Sequence, residues 1–264
     1  MQKRKFNLKN ILKAAGIPSN KYLLLTHRGY GKRGKIPENT IEAFQASTKL
    51  GFAGHELDVR LSRDGVAVIF HGPDLSTTTN GHGLIEEQNY EEFSQLNCGN
   101  YLQLKSNKIY LMPTLEEYLK KFGKRCFTNI EIKREWFNVK NGLEDKVIEL
   151  ISKYKCEKNV VISSFNLLSI YRIRKRYPDI LAGVLIDKNR IPAIWFPLCI
   201  KILKPDSIHI HSEMASSEWI QYIKDKDCGV GLWGVNEKDQ LRKFVASGVD
   251  ILITDNMDLI KQKY

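Results

Sequence analysis

The segments His27-Arg28-Gly29, Glu56-Leu57-Asp58, His71 and Glu131-Ile132-Lys133 hold the side chains best suited to chemistry. Glu56 and Asp58 are two residues apart, as are Glu131 and Lys133, so on strands each pair shares a face. Three carboxylates without a cysteine suit a hard divalent cation, Ca²⁺ or Mg²⁺. Arg28 and Lys133 suit a phosphate, while His27 and His71 suit acid and base work near neutral pH. Brought together, these groups point to metal-dependent hydrolysis of a phosphate ester.

For the groups to meet, the elements that carry them must end at one place. From Tyr22 onward, strand-like and helix-like patterns alternate. Strands are expected at Tyr22–Thr26, Gly54–Leu61, Val66–Phe70, Phe127–Lys133, Val160–Ser164, Ala182–Ile186, Ser207–His211, Val230–Val235 and Ile251–Thr254. Helices are expected at Phe6–Ala15, Asn39–Leu50, Thr114–Phe122, Leu143–Tyr154, Leu167–Tyr177, Glu218–Lys226 and Lys238–Ser247. Asn39-x-x-Glu42 and Thr114-x-x-Glu117 resemble capping boxes.

Only Ser62–Gly65 separates the second and third strands, too short for a parallel crossover, so these two form an antiparallel hairpin. Eight parallel strands remain. The leading architecture is a (β/α)8 TIM barrel over residues 21–264, after a basic amphipathic extension at 1–20. Residues 72–110 read as a small insertion over the barrel mouth. Active sites of such barrels form at the C-terminal ends of the strands, where the seven groups would converge. A hairpin loop of two or four residues sets His71 on the face of Glu56 and Asp58; a three-residue loop does not.

Composition narrows the classes. With 42% hydrophobic and 27% charged residues, the chain is not disordered, collagenous or a coiled coil. No uncharged apolar run reaches the ~18 residues of a membrane span, and Met1–Pro18 lacks the pattern of a cleavable signal. Five scattered cysteines without Cys-x-x-Cys argue against a disulfide framework or zinc cage and for a reducing, cytoplasmic setting.

The net charge is +11, and Met1–Pro37 holds ten basic residues and no acid. The rest of the chain has 31 basic and 30 acidic residues. The excess is therefore local, which suits an anionic membrane surface better than a nucleic-acid coat. Leu8, Ile11, Leu12 and Ala15 share one helical face that either lies on such a membrane or packs on the domain.

The sequence resembles the glycerophosphodiester phosphodiesterase family. The matching segments are HRG (27–29), PENTIEAF (37–44), GHELDVRLSRDGVAVIFH (54–71), TTTNGHG (77–83), MPTLEEYL (112–119), NIEIK (129–133), ISSF (162–165), LWGVN (232–236) and GVDILITD (248–255). They occur in family order over nearly the whole chain. The resemblance implies a (β/α)8 barrel that cleaves glycerophosphodiesters to an alcohol and sn-glycerol 3-phosphate with a divalent cation. It implies Glu56, Asp58 and Glu131 as metal ligands, His27 and His71 as the acid/base pair, and Arg28 and Lys133 as phosphate contacts. Trp233 is similar to the aromatic residue that packs on the glycerol side of the substrate.

Three positions depart from the family pattern. Gly72 follows His71 where Asp is usual, with Asp74 two positions on; Thr77 replaces an arginine; and Thr254-Asp255-Asn256-Met257 lacks the closing proline. Either Asp74 orients His71 or that ring is less firmly held. Lys32, Arg33 and Lys35 follow the first strand and would overhang the mouth, favouring anionic headgroups or lipid, unless they form a solvated loop. His55 is read as structural, His209 and His211 as packed or solvated, and His82 as solvated. The apolar Ile191–Leu203 reads as core packing or as a lipid-touching rim. Alternative functions are lysophospholipase D-type hydrolysis at a membrane surface and a non-catalytic barrel that binds phosphodiesters or anionic membranes.

Overall fold

The computed structural model describes residues 7–15, 22–29, 36–102, 108–134, 142–188 and 195–262. The basic loop residues Lys32, Arg33 and Lys35, the first six residues, and Ile191–Ile194 of the apolar segment lie outside the described residues.

Nine strands are present among the described residues: β1 (Leu23–Thr26), β2 (Gly54–Leu61), β3 (Ala67–Ile69), β4 (Phe127–Ile132), β5 (Val160–Ser164), β6 (Leu181–Ile186), β7 (Ser207–His211), β8 (Gly229–Trp233) and β9 (Ile251–Thr254). All pair in parallel except β2–β3, and β1 pairs with both β2 and β9, so eight strands close into a barrel. Helices run between the strands: α1 (Leu8–Ala15), α2 (Ile41–Lys49), α3 (Tyr90–Phe93), α4 (Leu115–Phe122), α5 (Leu143–Tyr154), α6 (Leu167–Arg176), α7 (Phe196–Leu203), α8 (Ser217–Asp225) and α9 (Lys238–Ala246). This is the (β/α)8 TIM barrel that the alternation predicts.

Each strand is wrapped on both sides, which explains the near-continuous apolar runs. Outward side chains such as Leu24, Leu57 and Ile130 pack against the helices. Inward Leu23, Leu25, Phe127, Val161, Ile251 and Ile253 form a second cluster with Leu8 and Leu12 of α1. Strand-start residues dominate that cluster, so α1 closes the N-terminal end of the barrel. Leu12 is fully buried there, which contributes up to ~3 kcal/mol. The apolar face of α1 is thus occupied within the protein and is not presented to lipid.

Two local expectations need correction. Helix α7 was not expected, because Phe196, Cys199, Ile200 and Leu203 are buried while Trp195, Leu198 and Ile202 are exposed. A helix apolar all round shows no amphipathic period. Helix α2 starts one residue later than expected, with Thr40 accepting from the Ala43 amide at 3.2 Å. Asn39 does not cap it; its side chain donates to Asp58 instead. The capping box at Thr114 forms as expected, with Glu117 accepting from the Thr114 amide at 2.8 Å.

The insertion builds its own small core from Leu75, Ile85, Phe93, Cys98 and Met112 against Val68 and Phe70.

Candidate active site

The β2–β3 hairpin places the first carboxylates and the second histidine. Val59 pairs with Ile69 and Leu61 with Ala67, the register of a three-residue loop. Gly65, at φ +82, supplies the left-handed turn residue such a loop needs. Strand parity alone would turn His71 away from Glu56 and Asp58. The strand ends at Ile69, however, and the chain bends at His71, so its ring still enters the pocket. The buried Arg60 donates from Nε to the His71 carbonyl at 3.1 Å and fixes that bend.

The pocket, about 180 Å³, lies at the C-terminal ends of the strands. His27, Arg28, Glu56, His71, Glu131, Lys133 and Trp233 all line it. Asp58 lies beneath, fully buried. Every candidate site residue read from the sequence is therefore brought to this one place. An adjoining cavity of about 380 Å³ shares His27 and Trp233 with it.

Glu56, Asp58 and Glu131 present oxygens within 4.8 Å of one another. Like charges at that spacing repel by roughly 3 kcal/mol per pair at an effective dielectric near 20. Two cations offset part of this. Arg28 Nε lies 3.0 Å from Asp58 Oδ2, and Lys133 Nζ lies 3.0 Å from Asp58 Oδ1 and contacts Glu131 closely. Burial disfavours the Asp58 charge, but Lys133 and Arg28 outweigh it and hold the carboxyl below its usual range. Glu56 is pushed well above its usual range by burial and by repulsion from Asp58 and Glu131.

The donor set fits a divalent cation. It is all carboxylate oxygen and it converges from two strands. Three carboxylates and two cations leave one negative charge; a divalent ion would make it one positive, matched to a phosphodiester anion.

Arg28 owes its position to backbone geometry. It sits at φ +54, and its amide donates to Glu56 Oε2 at 3.1 Å. Gly29 follows at φ +88, where a Cβ would lie 2.8 Å from the Ala43 Cβ, so only glycine fits. The Arg28 guanidinium also donates to Glu38 at 2.8 Å, and Asn39 donates to Asp58 at 2.9 Å. The PENT segment therefore buttresses Arg28 and the candidate ligand Asp58. Tyr101 of the insertion accepts from the Glu38 amide at 3.2 Å, which ties the insertion to this buttress.

The histidines differ. His27 Nδ1 lies 2.8 Å from Asp255 Oδ1, and its Nε2 lies 3.8 Å from Glu56. Among the described residues, no side chain hydrogen-bonds the His71 ring. Burial, opposed by Asp58 and reinforced by Lys133 and Arg28, pushes its pKa down to about 3. Asp74 does not orient it: that carboxylate accepts from the Ser76 amide at 2.8 Å. Gly72 and Thr77 prove to be linked, since a Cβ at 72 would lie 2.4 Å from Thr77 Oγ1.

Of the remaining histidines, His55, His82 and His209 follow their readings, while His211 lines the adjoining cavity. His55 is buried between Phe44 and Phe122 and bonds Tyr118 at 2.8 Å. His209 is buried inside the barrel, His82 is exposed, and His211 packs edge-on to Trp233 at 4.4 Å. Sequence reasoning missed Asp255, Arg60, Glu38 and Asn39 as site residues. Asp255 carried a usable signal, because it directly follows β9 as His27 follows β1.

The sequence model described as the glycerophosphoryl diester phosphodiesterase family matches residues 27–259. A Caldanaerobacter subterraneus protein named glycerophosphodiester phosphodiesterase is 32% identical over 244 residues, covering 91% of this chain and 96% of its own. The structure of a Thermotoga maritima glycerophosphodiester phosphodiesterase aligns at TM-score 0.73 and 28% identity over 92% of this chain and 98% of its own. An Oleispira antarctica phosphodiesterase, solved in complex with the product sn-glycerol-3-phosphate, aligns at TM-score 0.75 and 27% identity over 90% and 95%. With a family match from the first histidine to past the last strand, and with that family's motifs gathered in one pocket, the chain belongs to the glycerophosphoryl diester phosphodiesterase family.

Proposed function

We propose that the protein hydrolyses glycerophosphodiesters to an alcohol and sn-glycerol 3-phosphate, using His27 and His71 as acid and base beside a divalent cation. One observation carries this reading: two histidines and two cationic side chains, Arg28 and Lys133, surround a buried triad of carboxylates in a single pocket.

Glu56, Asp58 and Glu131 would hold the cation, Ca²⁺ or Mg²⁺, which neutralises charge on a phosphate oxygen. Arg28 and Lys133 grip the phosphate and orient it. His27, with Asp255 on Nδ1, is suited to hold a proton and deliver it from Nε2 to the leaving alcohol oxygen. His71, kept neutral chiefly by its burial, is suited to take a proton from water or from the neighbouring glycerol hydroxyl. Trp233 forms the shared wall of the two cavities, so glycerol and the leaving alcohol can lie on either side of it.

A second reading, lysophospholipase D-type hydrolysis, is favoured by the apolar wall of Phe165, Leu185, Trp233 and Ile253. The test is release of sn-glycerol 3-phosphate from glycerophosphocholine with Ca²⁺ or Mg²⁺, then with chelator, beside His27→Ala and Glu56→Gln. Metal-dependent release lost in both variants supports the first reading. Activity confined to micellar lysophosphatidylcholine supports the second, and binding without turnover supports a non-catalytic barrel.

A further inference from the structure

Ten large hydrophobic side chains are exposed among the described residues, and five of them belong to two neighbouring helices and the cap of one of them. Leu168 and Tyr171 belong to α6; Leu198 and Ile202 belong to α7, and Trp195 is its N-cap. The two helices pack against each other. On α7 the spacing 195, 198, 202 forms one stripe opposite the buried Phe196, Cys199, Ile200 and Leu203, with Trp195 and Ile202 51% and 53% exposed.

The facet is also cationic. Neither helix contains an acidic residue. Lys175 stands over the Tyr171 ring, 5.8 Å from its centroid, and Lys201 is exposed beside Ile202. Large apolar groups flanked by one sign of charge are the composition of an interfacial membrane contact. A second copy docking by the same face would bring two cationic surfaces together, which disfavours a twofold dimer.

We propose that the α6–α7 facet docks on an anionic lipid surface. Trp195, Leu198 and Ile202 enter the boundary between headgroups and acyl chains, and Lys175 and Lys201 face the headgroups. Helix α6 begins at the wall of the active-site pocket, just after Phe165. Docking therefore brings the mouth beside the bilayer. The contact does not depend on which diester is cleaved, and α1 is not the anchor because Leu8 and Leu12 are buried.

The full chain is tested by co-sedimentation with phosphatidylcholine vesicles, with and without phosphatidylglycerol. The expected result is binding to the anionic vesicles alone, weakened by salt. Lys175→Gln and Lys201→Gln should each weaken it about fivefold. Trp195→Ala/Ile202→Ser should abolish it while leaving hydrolysis of dissolved glycerophosphocholine unchanged, which shows that the fold survives. Equal binding to neutral vesicles, or full binding by Trp195→Ala/Ile202→Ser, overturns the proposal. So does loss of binding in Lys9→Gln/Lys13→Gln alone, or a dimer in light scattering that Ile202→Ser dissolves while vesicles are ignored.

Discussion

His27 at the end of β1 and Asp255 at the end of β9 meet at 2.8 Å, although 228 positions separate them in the chain. Barrel closure makes them neighbours. Thr26 pairs with Thr254, and the His27 amide donates to the Thr254 carbonyl at 2.9 Å. The carboxylate accepts from Nδ1 and so leaves Nε2 facing the pocket.

Asp255→Asn should lower kcat by roughly 10–100-fold, because it loosens the His27 ring. Steady-state kinetics on glycerophosphocholine check this. An unchanged kcat would remove Asp255 from any positioning role.

Arg60 acts on the other histidine through the backbone. A charged donor to a carbonyl is worth about 1.5–3 kcal/mol, so Arg60→Met should let the His71 bend relax and reduce kcat about tenfold or more. Arg60 also lies 3.9 Å from Glu86 of the insertion, so some loss of stability should accompany it. Comparing kcat with the denaturation midpoint separates the two effects. A stability loss with normal kcat would mean that His71 does not depend on this bond.

The carboxylate triad should reveal itself without turnover. A cation that binds only the folded protein stabilises it by about 2.7 kcal/mol at a hundredfold excess over Kd. The wild-type Tm should therefore rise with Ca²⁺ or Mg²⁺ and fall back with chelator. Glu56→Gln removes one ligand and one of three mutually repelling charges. Its metal-free Tm should equal or exceed that of wild type, while its response to metal shrinks. A full metal response in this variant would place the ion elsewhere.

Stability should decline in mild acid. Burial lowers the pKa of His209 to about 4 and that of His55 to about 3, against 6.5 when exposed. The folded protein thus keeps both rings neutral while the unfolded chain takes up protons below pH 6.5. Their contribution is complete above that pH and is lost as pH falls toward 4, at about 1.4 kcal/mol per pH unit for each ring. Urea midpoints measured across this range check the slope. His209→Gln, which removes one of the two rings, should flatten it, and an unchanged slope would exclude His209 as a source.

Much was legible in the chain itself. Alternating patterns specified eight parallel strands, because a strand covered by helices on one side and lining a barrel on the other must be apolar almost throughout. The two-residue spacings of Glu56 with Asp58 and of Glu131 with Lys133 set each pair on one face, and both pairs do face the pocket floor. Helix α7 escaped notice for the opposite reason: it exposes apolar residues as well as burying them, so no period marks it.

The tertiary structure alone decided which distant groups touch. The hairpin register argued against His71, and a bend after Ile69, held by Arg60, returned it to the site. The PENT segment is a motif in the sequence; only folding shows Glu38 on Arg28 and Asn39 on Asp58. Asp255 is one acid among thirty until the ninth strand closes on the first. Strand parity and apolar period are local properties of a chain, readable over a few residues. A bend after a strand and a contact across the barrel seam are set by packing between segments that no local pattern connects.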